Sequence, residues 1–209
     1  MFEDYLPSHA FSESRRYMMC ELPMAGVPAD GAGLTATRKE AHMCKVLIVY
    51  ATKSGCTKGV AGKIASTIAG PGVKVKLASA SDSPDPTGYD AVLVGSGTRA
   101  GQWHESAREW VAANAATLKS KRVAFFTVGL VITKGAEKAA QVRGFTDTLI
   151  EQTGVKPLDI GVFAGWNEPE RFSLPERIVM KIMHAPKGDR RDWVAIEQWA
   201  RATLQTLAA

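Results

Sequence analysis

From residue 45 onward the chain alternates short, continuous apolar runs with longer stretches in which apolar residues recur every three or four positions. A strand covered by helices on both faces is apolar throughout, whereas a helix lying on a sheet shows only an apolar stripe. The pattern therefore predicts parallel strands joined by crossover helices. The predicted strands are 45–50, 74–78, 91–95, 123–128 and 158–163.

The stretches around these strands carry the stripes expected of helices that pack on a sheet. Five strands alternating with helices predict an α/β fold, a doubly wound five-stranded parallel sheet with helices on both faces. The second stripe makes Trp103 the start of its helix, and the last helix is predicted from Asp192. The stripe positions are Val60, Ile64, Thr67 and Ile68; Trp103, Ala107, Trp110, Val111 and Leu118; Val142, Phe145, Leu149 and Ile150; and Trp193, Ile196, Ala200, Leu204 and Leu207.

Residues 1–42 follow neither period and are interrupted by prolines and by a glycine-rich run at 29–33. We predict a disordered N-terminal extension over 1–42 and a single domain over 43–209. Met43 stands directly before the first strand, and we expect natural translation to begin there. A peptide from within 1–42, found by mass spectrometry of native protein, would contradict that expectation.

The predicted domain is basic. Residues 43–209 hold 22 of the 26 Lys and Arg and 15 of the 21 Asp and Glu, so their net charge is +7. Such a balance favours an anionic partner: a carboxylated substrate, a phosphate-bearing cofactor or an anionic membrane surface. The alternative is a solvated basic surface with no dedicated partner. Nucleic acid would meet the same charge requirement, but we do not expect it as a partner.

Cysteine usage and hydropathy exclude several classes of protein. Cys20, Cys44 and Cys56 form no Cys-x-x-Cys pair and have no accompanying histidine spacing, which argues against a disulfide framework and a zinc site. We expect no metal, so any redox chemistry needs a cofactor. No apolar run approaches the ~20 residues of a membrane-spanning helix, and the amino terminus lacks a secretory signal. We therefore expect a cytoplasmic protein.

The segment 52–57, Thr-Lys-Ser-Gly-Cys-Thr, joins the first predicted strand to the first predicted helix. Three hydroxyls and a glycine at a helix start place donors and backbone N–H groups around one point, where the helix dipole also favours negative charge. Gly55 allows the tight turn its unusual backbone angles. The segment therefore predicts a site for a phosphate dianion. The alternative is a loop whose Ser or Thr merely caps the helix.

Other phosphate motifs match less well. No Gly-x-x-x-x-Gly-Lys-Ser/Thr string is present, which disfavours ATP or GTP hydrolysis. Gly95, Gly97 and Gly101 form a loose glycine-rich turn after the third strand, but the next strand offers no acidic residue to hold a ribose. A nicotinamide cofactor is therefore a minor alternative.

The first strand, the segment 52–57 and the helix after it resemble the FMN-phosphate loop of flavodoxins, and the similarity extends over 44–209. More narrowly, the chain resembles the flavodoxin-like, menaquinone-dependent protoporphyrinogen oxidases. That likeness rests on Gly-Ser-Gly-Thr-Arg-Ala-Gly-Gln-Trp-His at 95–104, Val-Gly-Leu-Val at 128–131, the apolar 178–183 and the Asp-Trp pair at 192–193.

The resemblance implies a flavodoxin-like fold that binds FMN. It also implies an oxidoreductase of heme biosynthesis that oxidises an anionic porphyrinogen and passes the electrons to a quinone. Two alternatives remain: an electron-transfer protein that serves redox partner proteins, and an FMN-free interaction module of the same fold. Small carrier flavodoxins tend to be acidic, so the charge of +7 weakens the carrier alternative.

The flavin ring is expected outside the carboxyl ends of the strands, between the loops 96–103 and 127–133. Trp103 would stack on the ring or, alternatively, belong to the core, while backbone groups of Gly97, Thr98 and Gly129 would reach its polar edge. The predicted cofactor-binding residues are Thr52, Lys53, Ser54, Gly55, Cys56, Thr57, Ser96, Gly97, Thr98, Trp103, Thr127, Val128, Gly129 and Leu130.

Two residues are candidates for catalysis. Arg99 would hold a substrate carboxylate or favour an anionic reduced flavin, unless it is an ordinary exposed arginine. His104 would transfer protons beside the flavin, although a hydrogen-bonded structural histidine is the commoner role at a helix start. The thiol of Cys56 is either a small side chain that fits the loop or a redox-active group.

The segment 174–187 mixes apolar and basic residues. One interpretation is a surface that rests on the inner face of a membrane or admits a quinone. A helix that packs on the domain or forms a homodimer contact is the alternative.

Overall fold

The computed structural model describes residues 43–99, 101–167, 177–178 and 188–208. The extension predicted at 1–42 and most of 174–187 lie outside the described residues. Short 3₁₀ turns occur at Ala80–Asp82 and Val131–Lys134. The elements are β1 (Cys44–Ala51), α1 (Cys56–Ile68), β2 (Val73–Ser79), β3 (Ala91–Arg99), β4 (Gln102–Trp103), α2 (Glu105–Ala113), α3 (Ala115–Lys119), β5 (Arg122–Gly129), α4 (Ala136–Thr153), β6 (Asp159–Ala164), β7 (Trp166–Asn167), β8 (Gly188–Asp189) and α5 (Trp193–Ala208).

Five parallel strands form the sheet, in the order β2-β1-β3-β5-β6. Val46 of β1, for example, lies beside Val75 on one side and Ala91 on the other. The chain winds outward from β1 in both directions, so the carboxyl ends of β1 and β3 mark the point where the strand order reverses. The predicted doubly wound, five-stranded sheet is confirmed, and this reversal is where such folds bind ligands.

Both faces of the sheet are covered, which explains why its strands read as continuous apolar runs. In β1, Val46 and Ile48 are fully buried on the face covered by α1 and α5. Leu47 and Val49 are equally buried on the opposite face, against α2, α3 and α4. The predicted helical stripes thus point into two separate hydrophobic clusters.

Gly95 of β3 shows how tightly the first cluster is packed. It is the cross-strand neighbour of Phe126 in β5. A Cβ built on Gly95 would lie 1.9 Å from Cζ of Phe126, so the phenyl ring occupies the space that a side chain would need. Gly95 is therefore required for packing of the Phe126 ring in the core.

The predicted helix start at Trp103 is wrong. Trp103 pairs with Thr98 in the antiparallel hairpin formed by β3 and β4, and α2 begins only at Glu105. The helical pattern is then interrupted at Asn114, which separates α2 from α3. The apolar spacing continues across these breaks because both the hairpin and the helices place Trp103, Trp110 and Leu118 in the same cluster.

The longest described helix, α4, has 18 residues and ends at Thr153; the next residue, Gly154, adopts the left-handed conformation with φ of 66°. Glycine is the usual residue at such a helix end. Within the described ranges, no helix combines the length and the apolar character needed to cross a bilayer.

Candidate functional site

The loop between β1 and α1 has the geometry of an anion site. Gly55 has φ of 87°, the left-handed conformation that favours glycine, and it occupies the N-cap position of α1. Its N–H donates to Oγ1 of Thr52 at 3.1 Å, which closes the turn. No described side chain caps α1, and its first turn contains no acidic residue.

A phosphate fits these groups. The first N–H groups of a helix have no partner within the helix, and the helix dipole attracts negative charge to that end. The hydroxyls of Ser54 and Thr57 belong to the same turn, and Lys53 beside them is exposed. The structure thus brings together the residues of the predicted segment 52–57.

The end of β3 lies against the start of α1. A Cβ on Gly97 would be 3.1 Å from Oγ1 of Thr57, closer than most such contacts in proteins. Thr57 is buried, with 1% of its surface exposed. Gly97 thereby lets the end of β3 approach the start of α1. The predicted segment 52–57, called the phosphate loop from here on, therefore lies beside the loop after β3.

The turn between β3 and β4 is held by Ser96. Its hydroxyl donates to the carbonyl of Gly97 at 2.9 Å and accepts the N–H of His104 at 2.8 Å. The His104 N–H also donates to the Gly97 carbonyl, at 3.2 Å. Because the hydroxyl of Ser96 is used in this way, its contribution is to fix the shape of the predicted ring-binding loop.

Trp103 belongs to the core, the alternative stated above. Its side chain is 2% exposed and meets the ring of Phe125 edge to face, with centroids 5.3 Å apart. Its indole N–H donates to the hydroxyls of Thr127, at 3.0 Å, and Thr146, at 3.2 Å. The Trp103 and Thr127 side chains therefore lie behind the predicted ring site.

The end of β5 supplies backbone to the same edge of the sheet. A Cβ on Gly129 would lie 3.1 Å from Oγ1 of Thr98, so the ends of β3 and β5 touch. Val128 is buried and Leu130 is half-buried. The carbonyl of Gly129 accepts the N–H of Gly165, which ties this strand end to the end of β6.

The structure describes the side chain of one catalytic candidate, His104, but only the backbone of the other, Arg99. The backbone of Arg99 pairs with Gln102 in the β3–β4 hairpin, and its side chain is outside the described residues. His104 is half-buried at the N-cap of α2, and its Nδ1 hydrogen-bonds with the Ser106 hydroxyl at 3.0 Å. Local hydrogen bonding of this kind matches the structural role given above as the alternative, and both catalytic roles stay predictions.

One participant was not predicted from the sequence. Trp166, in β7, donates its indole N–H to Oγ of Ser54 at 3.3 Å and its backbone N–H to Sγ of Cys56 at 3.2 Å. Through these contacts Trp166 packs directly against the phosphate loop. Its position directly after β6, at the edge where the other loops gather, is the sequence signal that could have identified it.

Comparison with known proteins identifies the family of the chain. The sequence profile of the family described as "Flavodoxin domain" matches residues 47–193, more than half of the chain. The chain belongs to the flavodoxin domain family. This membership confirms the predicted flavodoxin-like fold and, with it, FMN as the predicted cofactor.

The chain is also similar to curated proteins with a named activity. The chain is 27% identical over 160 residues to Protoporphyrinogen IX dehydrogenase [quinone] of Escherichia coli (strain K12), covering 74% of this chain and 88% of that protein. It is also 27% identical over 170 residues to the Leishmania major protein of the same name, covering 75% of this chain and 73% of that one. The predicted resemblance to this group of flavodoxin-like proteins is confirmed.

Solved flavodoxins share the fold at lower identity. Oxidised Flavodoxin 2 from Bacillus cereus superposes with a TM-score of 0.53 at 20% identity, covering 78% of this chain and 99% of that one. Oxidised Flavodoxin 1 from the same organism gives a TM-score of 0.52 at 16% identity, covering 77% and 97%. At these identities the likeness extends to the fold alone.

Proposed function

We propose that this flavodoxin-like chain is an FMN-dependent oxidoreductase that oxidises a porphyrinogen and passes the electrons to a quinone. The observation that supports the proposal is the start of α1, where Gly55 is the N-cap residue and the first turn holds no acidic residue, in a chain similar to proteins named Protoporphyrinogen IX dehydrogenase [quinone]. As the resemblance predicted, the reaction is then a step of heme biosynthesis.

The residues around this site have distinct tasks in the proposal. FMN, when bound, would accept reducing equivalents from the porphyrinogen and pass them to the quinone. The segment 52–57 holds the phosphoryl group. Gly97 leaves room for the Thr57 hydroxyl and Gly129 for the Thr98 hydroxyl, so the ends of the two strands lie close to their neighbours. Thr57 and Cys56 are buried, so this end of the segment is anchored in the domain. The chain thus supplies binding and orientation.

Charge supports an anionic substrate. Residues 43–209 have a net charge of +7, and porphyrinogens bear propionate carboxylates. A basic domain raises the local concentration of such a substrate, and this attraction weakens as salt is added. We expect the rate at low substrate concentration to fall with ionic strength.

The cofactor is tested first. We expect purified protein to be yellow, and heat-released chromophore to be identified as FMN by chromatography and mass spectrometry. Colourless protein that takes up no FMN at micromolar concentration would overturn the proposal and leave the FMN-free interaction module as the function.

The substrates are tested with the FMN-loaded protein, in the dark and without oxygen. We expect porphyrin fluorescence to appear from protoporphyrinogen only when a quinone such as menadione is also present. Apoprotein with FMN removed is the matched control, and adding FMN back is expected to restore the rate. If loaded protein gives no quinone-dependent rate above that control, the substrate assignment is wrong, and an electron carrier that serves a redox partner protein takes its place.

A further inference from the structure

Arg191 lies between two indole rings. Its guanidinium carbon is 4.1 Å from the ring centroid of Trp166 and 4.2 Å from that of Trp193, and its side chain is 8% exposed. Asp189 holds the guanidinium by two hydrogen bonds, Nε to Oδ1 at 2.8 Å and Nη2 to Oδ2 at 2.6 Å. We call these four residues the arginine clasp.

The arginine clasp is a strong local arrangement. Paired N–H donors facing a carboxylate fix the plane of the guanidinium, and a cation that is desolvated between aromatic faces is attracted to both. The hydrogen bonds from Arg191 hold the pKa of Asp189 below its usual range, so the pairing favours the charged carboxylate. Arg191 is therefore held by contacts on three sides, from the Asp189 carboxylate and the two indole rings.

The arginine clasp touches the phosphate loop through Trp166. The indole N–H reaches Oγ of Ser54, the backbone N–H reaches Sγ of Cys56, and a Cβ on Gly55 would be 3.7 Å from Cζ2 of the same ring. Three consecutive loop residues thus lie against one tryptophan. Any displacement of that tryptophan changes the surroundings of the loop.

The guanidinium also approaches the first turn of α1 directly. A Cβ built on Gly59 would lie 2.5 Å from Nη1 of Arg191, a distance that real Cβ atoms do not adopt. Glycine is disfavoured inside helices, and here its missing side chain is what admits Arg191. A positive charge is thereby placed beside the helix end that attracts anions.

We propose that the arginine clasp positions the phosphate loop: Arg191 holds Trp166 against Ser54 and Cys56, so that the loop is already shaped for the phosphoryl group of FMN. This inference rests on the proposed cofactor and adds Arg191 and Trp166 as positioning residues for its phosphate. A clasp that only stabilised the fold would affect every ligand of the domain equally.

Riboflavin separates these two roles because it has the flavin ring but no phosphate. The experiment compares the affinities of apoprotein for FMN and for riboflavin by flavin fluorescence, in wild type, Arg191→Ala and Arg190→Ala. Arg190 is the matched control, since it is an exposed neighbour whose loss changes the net charge equally. We expect Arg191→Ala to bind FMN about tenfold more weakly or worse, with riboflavin affinity within about twofold of wild type.

A second variant keeps the experiment decisive if Arg191→Ala fails to fold. Trp166→Phe retains an aromatic ring against Arg191 but removes the indole N–H that reaches Ser54. It is expected to lose FMN affinity selectively as well, while Arg191→Lys retains part of it. Far-ultraviolet circular dichroism and thermal melting of the apoproteins verify folding.

The outcomes separate the two proposals. If wild type binds FMN no better than riboflavin, the phosphate site itself is wrong, and the proposed function fails with it. If wild type prefers FMN, but Arg191→Ala and Trp166→Phe retain that preference, only the positioning role is overturned. Equal loss of both ligands in Arg191→Ala would also overturn it, in favour of a purely structural clasp.

Discussion

The indole N–H of Trp103 is shared between two threonine hydroxyls, that of Thr127 at 3.0 Å and that of Thr146 at 3.2 Å. The hydroxyls are 2.7 Å apart, and all three residues are buried. The group therefore joins the hairpin strand β4, β5 and α4 directly behind the predicted ring site. It connects the shape of that site to the packing of the core.

This sharing predicts a non-additive pair of substitutions. Thr127→Val or Thr146→Val alone leaves the indole N–H one acceptor, so each is expected to lower the free energy of unfolding by about 1 kcal/mol. Each single substitution also breaks the bond between the two hydroxyls, whereas only the double variant leaves the buried indole N–H without either acceptor. The loss in the double variant is therefore expected to differ from the sum of the two single losses. Urea denaturation measures all three. Thr148→Val, on an exposed part of α4, is the control, and additive losses would contradict the shared bond.

The hydroxyl of Thr57 gives a prediction about the phosphate itself. Thr57→Val keeps the shape of the side chain but removes a donor at the helix end, so FMN is expected to bind about tenfold to a hundredfold more weakly. Riboflavin affinity should be unchanged. Thr67→Val removes a hydroxyl from the same helix, where it bonds only to the Lys63 carbonyl within the described residues, and should change neither affinity. Equal weakening by both substitutions would contradict a phosphate contact at Thr57.

Gly59 provides a substitution that separates stability from binding. In Gly59→Ala the new methyl group displaces the end of the Arg191 side chain, while the helix gains roughly 1 kcal/mol of propensity. We expect FMN affinity to fall and the thermal midpoint of the apoprotein to stay the same or rise. Gly62→Ala, where no described atom lies within 4 Å of the new Cβ, should raise the midpoint without changing affinity. If Gly62→Ala also lowers the affinity for FMN, the loss comes from a general change in α1 and not from displacement of Arg191.

Asp189 predicts a pH dependence of stability. Hydrogen bonds from Arg191 hold its pKa below the ordinary value of 3.8, so folding favours the charged carboxylate. The stabilisation is complete above the unfolded pKa and is lost as the pH falls through the lower folded pKa. The urea midpoint of wild type should be higher than that of Asp189→Asn. This difference in midpoint should be constant between about pH 8 and pH 5 and should shrink below about pH 4. A difference that grows on acidification would contradict the pairing.

The fold could be predicted because its signal is local. Each strand is a continuous apolar run, as in Val46 to Val49, and each helix presents one stripe, so a parallel sheet follows without knowledge of distant contacts. The phosphate loop could be predicted for a similar reason: its hydroxyls, glycine and helix start are consecutive in the sequence.

The rest of the site depends on residues that are far apart in sequence. Trp166 and Arg191 meet because β7 and β8 pair, and nothing in either local sequence indicates that contact. Trp103 had a helical spacing that fitted both a helix start and a hairpin strand, and only the pairing with Thr98 decides between them. Stacking and cross-strand pairing are tertiary events, which a one-dimensional pattern does not encode.

The pairing of Trp166 with Asp189 has a consequence for the length of the chain between them. A two-strand stem fixes the ends of the intervening stretch next to each other, so the entropy of closing it grows only with the logarithm of its length. Doubling that length costs about 0.6 kcal/mol, less than a single good hydrogen bond contributes. The pairing of β7 with β8 is therefore expected to tolerate a change in the number of residues between them.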